Sequence, residues 1–192
     1  FGRLEREDDR WRGETSLPVL ARWDVRFYIW PDMWDENDED GVPKPDRTEV
    51  GIEIWDEQGD GPSSAQEVAF QQVVRRQDAL ARDVLSFLHD HATDGIEDAL
   101  ECIDSDEERD QFDQLIERHK LDQLEGVEKQ LYLHRIGFIE QEKDGQSYLS
   151  FDFFCGWDDE HGVSLLVHDA KIIGSAVEGD FYNRRDVEGH AM

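Results

Sequence analysis

Apolar and polar residues alternate along two stretches of the first sixty residues, a period of two that is typical of strands buried on one face. A shorter stretch, residues 14–17, lies between a glycine and a proline and is also predicted to be extended. We therefore predict strands within residues 1–60. The apolar positions that carry the alternation are Trp23, Val25, Phe27, Ile29, Val50, Ile52 and Ile54.

The spacing of apolar residues becomes that of a helix within residues 63–125. Ser63 is followed three residues later by Gln66, a capping-box signature, because each side chain can satisfy a backbone N–H of the first turn. We predict that this first helix ends at residues 93–95 (Thr-Asp-Gly). Its apolar residues at helical spacing are Val68, Phe70, Val73, Val74, Leu80, Val84, Phe87 and Leu88.

A second helical region follows directly. Ser105 and Glu108 form another capping-box pair inside it, so we predict a break near Asp104 and two shorter helices. The apolar residues of this region are Ile96, Leu100, Ile103, Phe112, Leu115 and Ile116.

Alternation returns in residues 130–176 and predicts a run of strands. We expect an irregularity at His134-Arg135 and a hairpin at residues 143–146, where Asp-Gly tolerates positive φ. The segment GWDDEHG, residues 156–162, is predicted to join the next two strands, and a further turn falls at residues 169–170.

The order of strands, helices and strands predicts an α+β fold. In it, an antiparallel sheet of N-terminal strands and a C-terminal meander packs against a central helical segment on one face. We predict a single domain over residues 1–192, with residues 177–192 as a C-terminal tail.

Charge is the strongest bulk property of the chain: 48 acidic and 20 basic residues among 192 give a formal net charge of −28. Such a chain repels nucleic acids and anionic membranes, so neither is expected as a partner, whereas a cation-rich protein is attracted. Solubility, or adaptation to a salty cell interior, is an alternative reason for the charge.

The sequence favours a cytoplasmic protein. No run approaches the roughly 18 apolar residues of a membrane helix, and no signal peptide opens the chain. Cys102 and Cys155 are far apart and outside any C-x-x-C pair, so we expect buried thiols in a reducing compartment; a disulfide between them stays open as an alternative.

The proline-bounded acidic segment 31–45 is too polar for a core strand and is predicted to be an exposed loop. Arg47 stands where a calcium loop requires a bidentate glutamate, so a calcium site is not expected. The segment is instead a candidate surface for a basic partner, with tryptophans as apolar anchors. The candidate binding residues are Trp30, Trp34, Asp35, Asp38 and Asp40, together with Trp157.

The segment 156–162 supports two interpretations. As a turn, its glycines permit unusual φ values and its aspartates cap the chain. As a metal site, Asp152, Asp158, Glu160 and His161 would supply oxygen and nitrogen ligands for a divalent ion. Because adjacent residues of a short loop cannot all point at one centre, we favour the turn and expect no cofactor.

Three landmarks give the chain a family resemblance. They are W-D-x-E-H-G at residues 157–162, an opening Phe1-Gly2 with Trp-x-Gly at residues 11–13, and Pro-Ser-x-x-Gln at residues 62–66. In these features the chain resembles a group of bacterial domains of unknown function, which has no established activity. Similar small acidic domains often accompany secreted toxins as immunity proteins, so the resemblance implies a toxin as the partner.

These observations predict a non-enzymatic protein-binding domain, in its most specific form an immunity protein that captures a basic toxin. No G-x-S-x-G, P-loop or dinucleotide-binding motif supports an enzyme. The alternative is a divalent-metal-dependent enzyme or metal-binding domain centred on the WDDEHG loop. A structural domain of a halophilic host is a third hypothesis. The sequence does not indicate whether the protein is a monomer or an oligomer.

Overall fold

The computed structural model describes residues 1–23, 48–56, 59–103, 105–155 and 158–177, which form seven strands and four helices. The strands are β1 (Leu4–Glu7), β2 (Arg10–Ser16), β3 (Glu49–Trp55), β4 (Leu131–Lys143), β5 (Gln146–Cys155), β6 (Asp158–His168) and β7 (Lys171–Val177). The helices are α1 (Pro18–Ala21), α2 (Ser64–Cys102), α3 (Asp106–His119) and α4 (Leu124–Glu128). None of these helices is long and apolar enough to cross a membrane.

All seven strands form one sheet whose spatial order follows the chain from β1 to β7. Neighbouring strands are antiparallel except β3 and β4, which run parallel. A parallel pair needs a long crossover, and α2, α3 and α4 lie in that connection. The predicted α+β fold, with a mostly antiparallel sheet and a long central helix packed against it, is confirmed.

The core lies between the sheet and α2. Alternate strand residues point into it, and its largest fully buried side chains include Trp23, Phe138, Phe151 and Phe153. The ring of Phe1 stacks on Phe70 of α2 at a centroid distance of 4.4 Å and meets Phe138 edge-on at 5.0 Å. Full burial of such a side chain contributes about 1.5–3 kcal/mol, so this layer holds the helix on the sheet.

Helix α2 begins at the predicted capping box. The Ser63 hydroxyl accepts a hydrogen bond from the Gln66 N–H at 3.2 Å, and the Gln66 side chain accepts one from the Ser63 N–H at 2.8 Å. The Gln66 amide also donates to the carbonyls of Trp55 and Phe138. The cap therefore attaches the start of the helix to β3 and β4.

The predicted helix end at residues 93–95 is wrong, because α2 continues through them to Cys102. Within this stretch the Thr93 hydroxyl donates to the His89 carbonyl at 2.9 Å. The glycine of the segment costs only about 1 kcal/mol inside a helix, which the flanking helical turns outweigh. The break predicted near Asp104 is confirmed by the gap between α2 and α3.

The predicted irregularity and turns of the C-terminal strands are confirmed. A register shift in the β4–β5 ladder falls between Leu133 and Arg135. Residues 144–145 have φ values of 54° and 75°, and residues 169–170 have φ values of 49° and 53°. These positive values let the chain reverse direction between β4 and β5 and between β6 and β7.

The segment 156–162, predicted to join β5 to β6, lies largely within β6. β5 extends to Cys155 and β6 begins at Asp158, which pairs with it. The ladder contains a register shift between Phe153 and Cys155, and Gly162 has a φ of 63° inside β6. The predicted connection was therefore too long, because residues 158–162 belong to β6.

Candidate functional site

The face of the sheet opposite α2, here called the outer face, carries charges whose sign alternates from strand to strand. Residues that lie opposite each other on neighbouring strands share a face. The register places Glu5 opposite Arg12, Arg12 opposite Glu53, and Arg135 opposite Asp152. We call the following set the charge row: Glu5 and Glu7 of β1, Arg10 and Arg12 of β2, Glu53 of β3, Arg135 of β4 and Asp152 of β5.

At its β5 end the charge row terminates in Asp152, which is inaccessible to solvent. This carboxylate is fully buried, with 0% exposure, and both of its oxygens accept hydrogen bonds. Arg135 Nε donates to Oδ2 at 2.7 Å, and the Ser164 hydroxyl donates to Oδ1 at 2.6 Å. A carboxylate held in this way orients its neighbours and serves poorly as a ligand, because a metal ion would have to displace both donors.

The Glu53 carboxylate forms ion pairs with three arginines. The side chain is 2% exposed; Arg10 Nη1 contacts Oε1 at 2.5 Å, and Arg135 Nη1 contacts Oε2 at 3.1 Å. The Arg12 Nε lies 3.4 Å from Oε2. A buried carboxylate is retained only where paired charges and hydrogen bonds compensate its desolvation, and these guanidinium groups provide that compensation.

Arg10 of the charge row also contacts an aromatic side chain of β3, Trp55. Its guanidinium lies 4.0 Å from the centroid of the Trp55 ring, a cation–π geometry. Burial lowers the pKa of Arg10, but hydrogen bonds and charge interactions with Asp9 and Glu53 outweigh it, so that its pKa is raised. Arg10 is therefore a cation within the charge row.

At its β1 end the charge row is exposed to solvent and borders a groove of about 650 Å³. Arg12 pairs with Glu7 at 2.7 Å and Arg3 pairs with Glu5 at 3.2 Å, and all four side chains are at least 46% exposed. Four glutamates and two arginines line the groove, a formal charge of −2. These charged lining residues are Glu5, Glu7, Glu14, Glu49, Arg3 and Arg12.

Glycine allows the chain before β1 to lie close to β2. A Cβ on Gly13 would come within 2.3 Å of the Arg3 carbonyl, and one on Gly2 would come equally close to the Glu14 carbonyl. In the Trp-x-Gly landmark, the tryptophan, Trp11, donates its indole N–H to Asp56 at 3.1 Å. Both residues of the landmark therefore have a structural role at the start of the sheet.

An aromatic cluster lies on the outer face beside the β4–β5 irregularity. The rings of Tyr132 and Phe154 are parallel within 4°, and His134 lies 5.1 Å from Phe154 between centroids. Phe154 is 45% exposed. Neither this cluster nor the groove is among the residues predicted from the sequence. The signal for the cluster was that Tyr132 and Phe154 each stand between two buried residues.

Two buried serines on the outer face differ in their partners. Ser164 is bonded to Asp152, whereas the Ser150 hydroxyl has no hydrogen-bond partner within the described part of the chain. Ser150 lies opposite Gly137, where a Cβ would come within 2.4 Å of its hydroxyl oxygen. Gly137 is therefore the residue that leaves room for the Ser150 side chain.

The predicted binding residues Trp30, Trp34, Asp35, Asp38, Asp40 and Trp157 lie outside the described residues, so their role stays a prediction. Of the alternative metal ligands, Asp152 is engaged as described above. Asp158, Glu160 and His161 belong to β6, and their side chains lie outside the described part. Among the described residues, no cluster of three or more His, Cys, Asp or Glu side chains could hold a metal ion.

The sequence matches a family model described as a domain of unknown function, DUF6985, over residues 1–177. The chain belongs to the DUF6985 family. The match covers every described element from β1 to β7 and agrees with the resemblance to a domain of unknown function. No curated protein and no solved structure matches the chain.

Proposed function

We propose that this DUF6985 domain is a non-enzymatic binding protein that captures a cation-rich protein partner in the groove beside β1. The observation that carries the proposal is the groove itself, a space of about 650 Å³ lined by four glutamates and two arginines. The side chains of Glu5 and Glu7 are exposed, unlike those of Glu53 and Asp152, so a partner can reach them.

The net charge of the chain favours the same class of partner. A formal charge of −28 accelerates the encounter with a basic protein and repels acidic ones. The two groove arginines do not reverse this preference, because Arg12 is paired with Glu7 and Glu53 and Arg3 is paired with Glu5. Both arginines therefore already have carboxylate partners within the chain.

In its most specific form, the proposal is that the domain is a bacterial, cytoplasmic immunity protein that neutralises a basic toxin. The support for this form is the acidic charge, the negative groove and the resemblance of the chain to small acidic domains that accompany toxins. Neutralisation by capture alone would require no catalytic residue in the domain.

Two variants of equal charge test the groove. We expect the triple substitution of Glu5, Glu7 and Glu14 to Gln to weaken binding of a lysine-rich peptide by about tenfold, as for the loss of several charge pairs. Glu97, Glu101 and Glu107 are also exposed but lie on α2 and α3, and their substitution to Gln is the matched control. Titration calorimetry at low and physiological salt gives both affinities.

Equal losses in the two triple variants would mean that only the net charge attracts the peptide, and would remove the groove from the proposal. For the immunity function, co-expression with a basic toxin from the same host should protect cells, and the groove variant should protect less than the control. Protection by both variants alike would contradict a groove-based immunity protein.

A further inference from the structure

Strand β1 is an edge of the sheet and also the end of the charge row. Within the described part of the chain, β1 pairs only with β2, so its other side presents backbone N–H and C=O groups for pairing. The outer-face residues of this edge strand are Glu5 and Glu7, whose side chains are 72% and 56% exposed. A template for strand addition therefore lies beside the groove.

The charge row specifies which strand would fit. Its sign runs from negative on β1 to positive on β2, negative on β3, positive on β4 and negative on β5. A strand added to β1 would lie about 4.8 Å away and place alternate side chains on the outer face. Cationic side chains there would stand opposite Glu5 and Glu7 and continue the alternation.

We propose that the segment of the partner that docks here is an extended strand, which pairs with the backbone of β1 and carries Lys or Arg at alternate positions facing Glu5 and Glu7. This inference rests on the proposed binding function and adds the conformation and charge spacing of the bound segment. Main-chain hydrogen bonds supply affinity in such additions, and alternate side chains supply specificity.

A second copy of this chain fits the same edge poorly. Residues that face each other across antiparallel strands share a face of the sheet, so two β1 strands related by a two-fold axis would set carboxylates opposite carboxylates. Like charges directly opposite are destabilising, and two chains of charge −28 repel each other. A cationic strand of another protein meets neither obstacle.

The other edge strand serves as a contrast. Strand β7 contains one charged residue, Lys171, and no acidic residue, so it provides no carboxylate for a cationic strand. Within the described residues both edge strands have a neighbour on one side only, so charge sets the preference for β1.

The test uses a peptide of about ten residues with Lys at every second position and Thr or Val between, long enough to span the edge. One derivative carries N-methyl groups on the Lys amides, and the other carries them on the intervening amides. In a strand, alternate N–H groups point to opposite edges, so only one derivative blocks pairing with β1. Fluorescence anisotropy measures each affinity.

We expect one N-methylated derivative to lose about tenfold in affinity and the other to stay within about threefold, since only one set of N–H groups faces the protein. The double variant Glu5→Gln/Glu7→Gln should weaken the unmethylated peptide by about tenfold, and the control Glu97→Gln/Glu101→Gln by less than about threefold. This pattern requires both the backbone edge and its carboxylates.

Derivatives that bind equally well, or that lose affinity equally, would overturn strand addition. If binding still depended on Glu5 and Glu7, the groove would remain the binding site and only the strand inference would fall. No difference between the two double variants would remove both proposals. A dimer of the protein alone that the peptide dissociates would assign the edge to a second copy and also overturn the inference.

Discussion

The two ends of the charge row use the same chemistry for different purposes. At β5, Asp152 is completely buried and both of its oxygens are occupied by Arg135 and Ser164. At β1, Glu5 and Glu7 also pair with arginines, but their side chains are more than half exposed and border a groove. Position in the sheet, more than the type of residue, separates a structural pair from an available one.

The physical basis of this difference is desolvation. A buried ion pair adds little net stability, yet its disruption leaves an uncompensated charge in a medium of low dielectric constant. An exposed pair contributes about 0–1 kcal/mol, because water and salt already screen it. The carboxylates of β1 can therefore exchange their own arginines for the cations of a partner, and Asp152 cannot.

The largest expected effect is at Arg135. We expect Arg135→Met to lower the free energy of unfolding by about 3–5 kcal/mol, because it leaves buried Asp152 without its cation and removes one cation from Glu53. Arg12→Met on the same face is the control, since Arg12 is 46% exposed and Glu53 keeps its other arginines. Urea unfolding measures both; equal values would mean that burial does not distinguish the two ends.

A smaller effect separates the two buried serines. Ser164→Ala removes the donor to Asp152 and should cost about 1–3 kcal/mol, because the carboxylate oxygen then lacks one of its hydrogen bonds. Ser150→Ala removes a hydroxyl that has no partner within the described residues, and should change stability by less than about 0.5 kcal/mol. A loss for Ser150→Ala as large as that for Ser164→Ala would contradict this view of the outer face.

The smallest expected change in stability is at the β1 end of the charge row. Glu5→Gln/Glu7→Gln should alter the free energy of unfolding by less than about 0.5 kcal/mol, as is usual for exposed positions. The same variant is the one expected to lose peptide binding. A loss of stability comparable to that of Arg135→Met would show that this end is structural, and would remove the contrast between the two ends.

Much of the fold could be predicted from short stretches of sequence. The capping box at Ser63 and Gln66, the Asp-Gly turn at residues 144–145 and the irregularity before Arg135 all depend on residues close together in the chain. The helix end predicted at residues 93–95 failed because one weak local signal was outweighed by the helical turns on both sides of it.

The candidate site was harder to predict, because its residues are distant in sequence. Arg135 meets Glu53 across 82 positions, and Arg10 meets Glu53 across 43. In the sequence Glu53 is simply a polar residue between the core residues Ile52 and Ile54, and nothing near it in the chain points to either arginine. Glu53 and Arg135 come together because β3 pairs in parallel with β4, and no local sequence pattern predicts that pairing.

The sequence by itself determined the local elements of this protein and its strongly acidic character, because periodicity, caps, turns and charge are properties of neighbouring residues or of simple sums. The tertiary structure alone decided which carboxylates are buried and which are available. That distinction depends on the place each strand takes in the sheet: central strands are covered on both sides by neighbours, whereas β1 has a neighbour on one side within the described fold and a groove beside it.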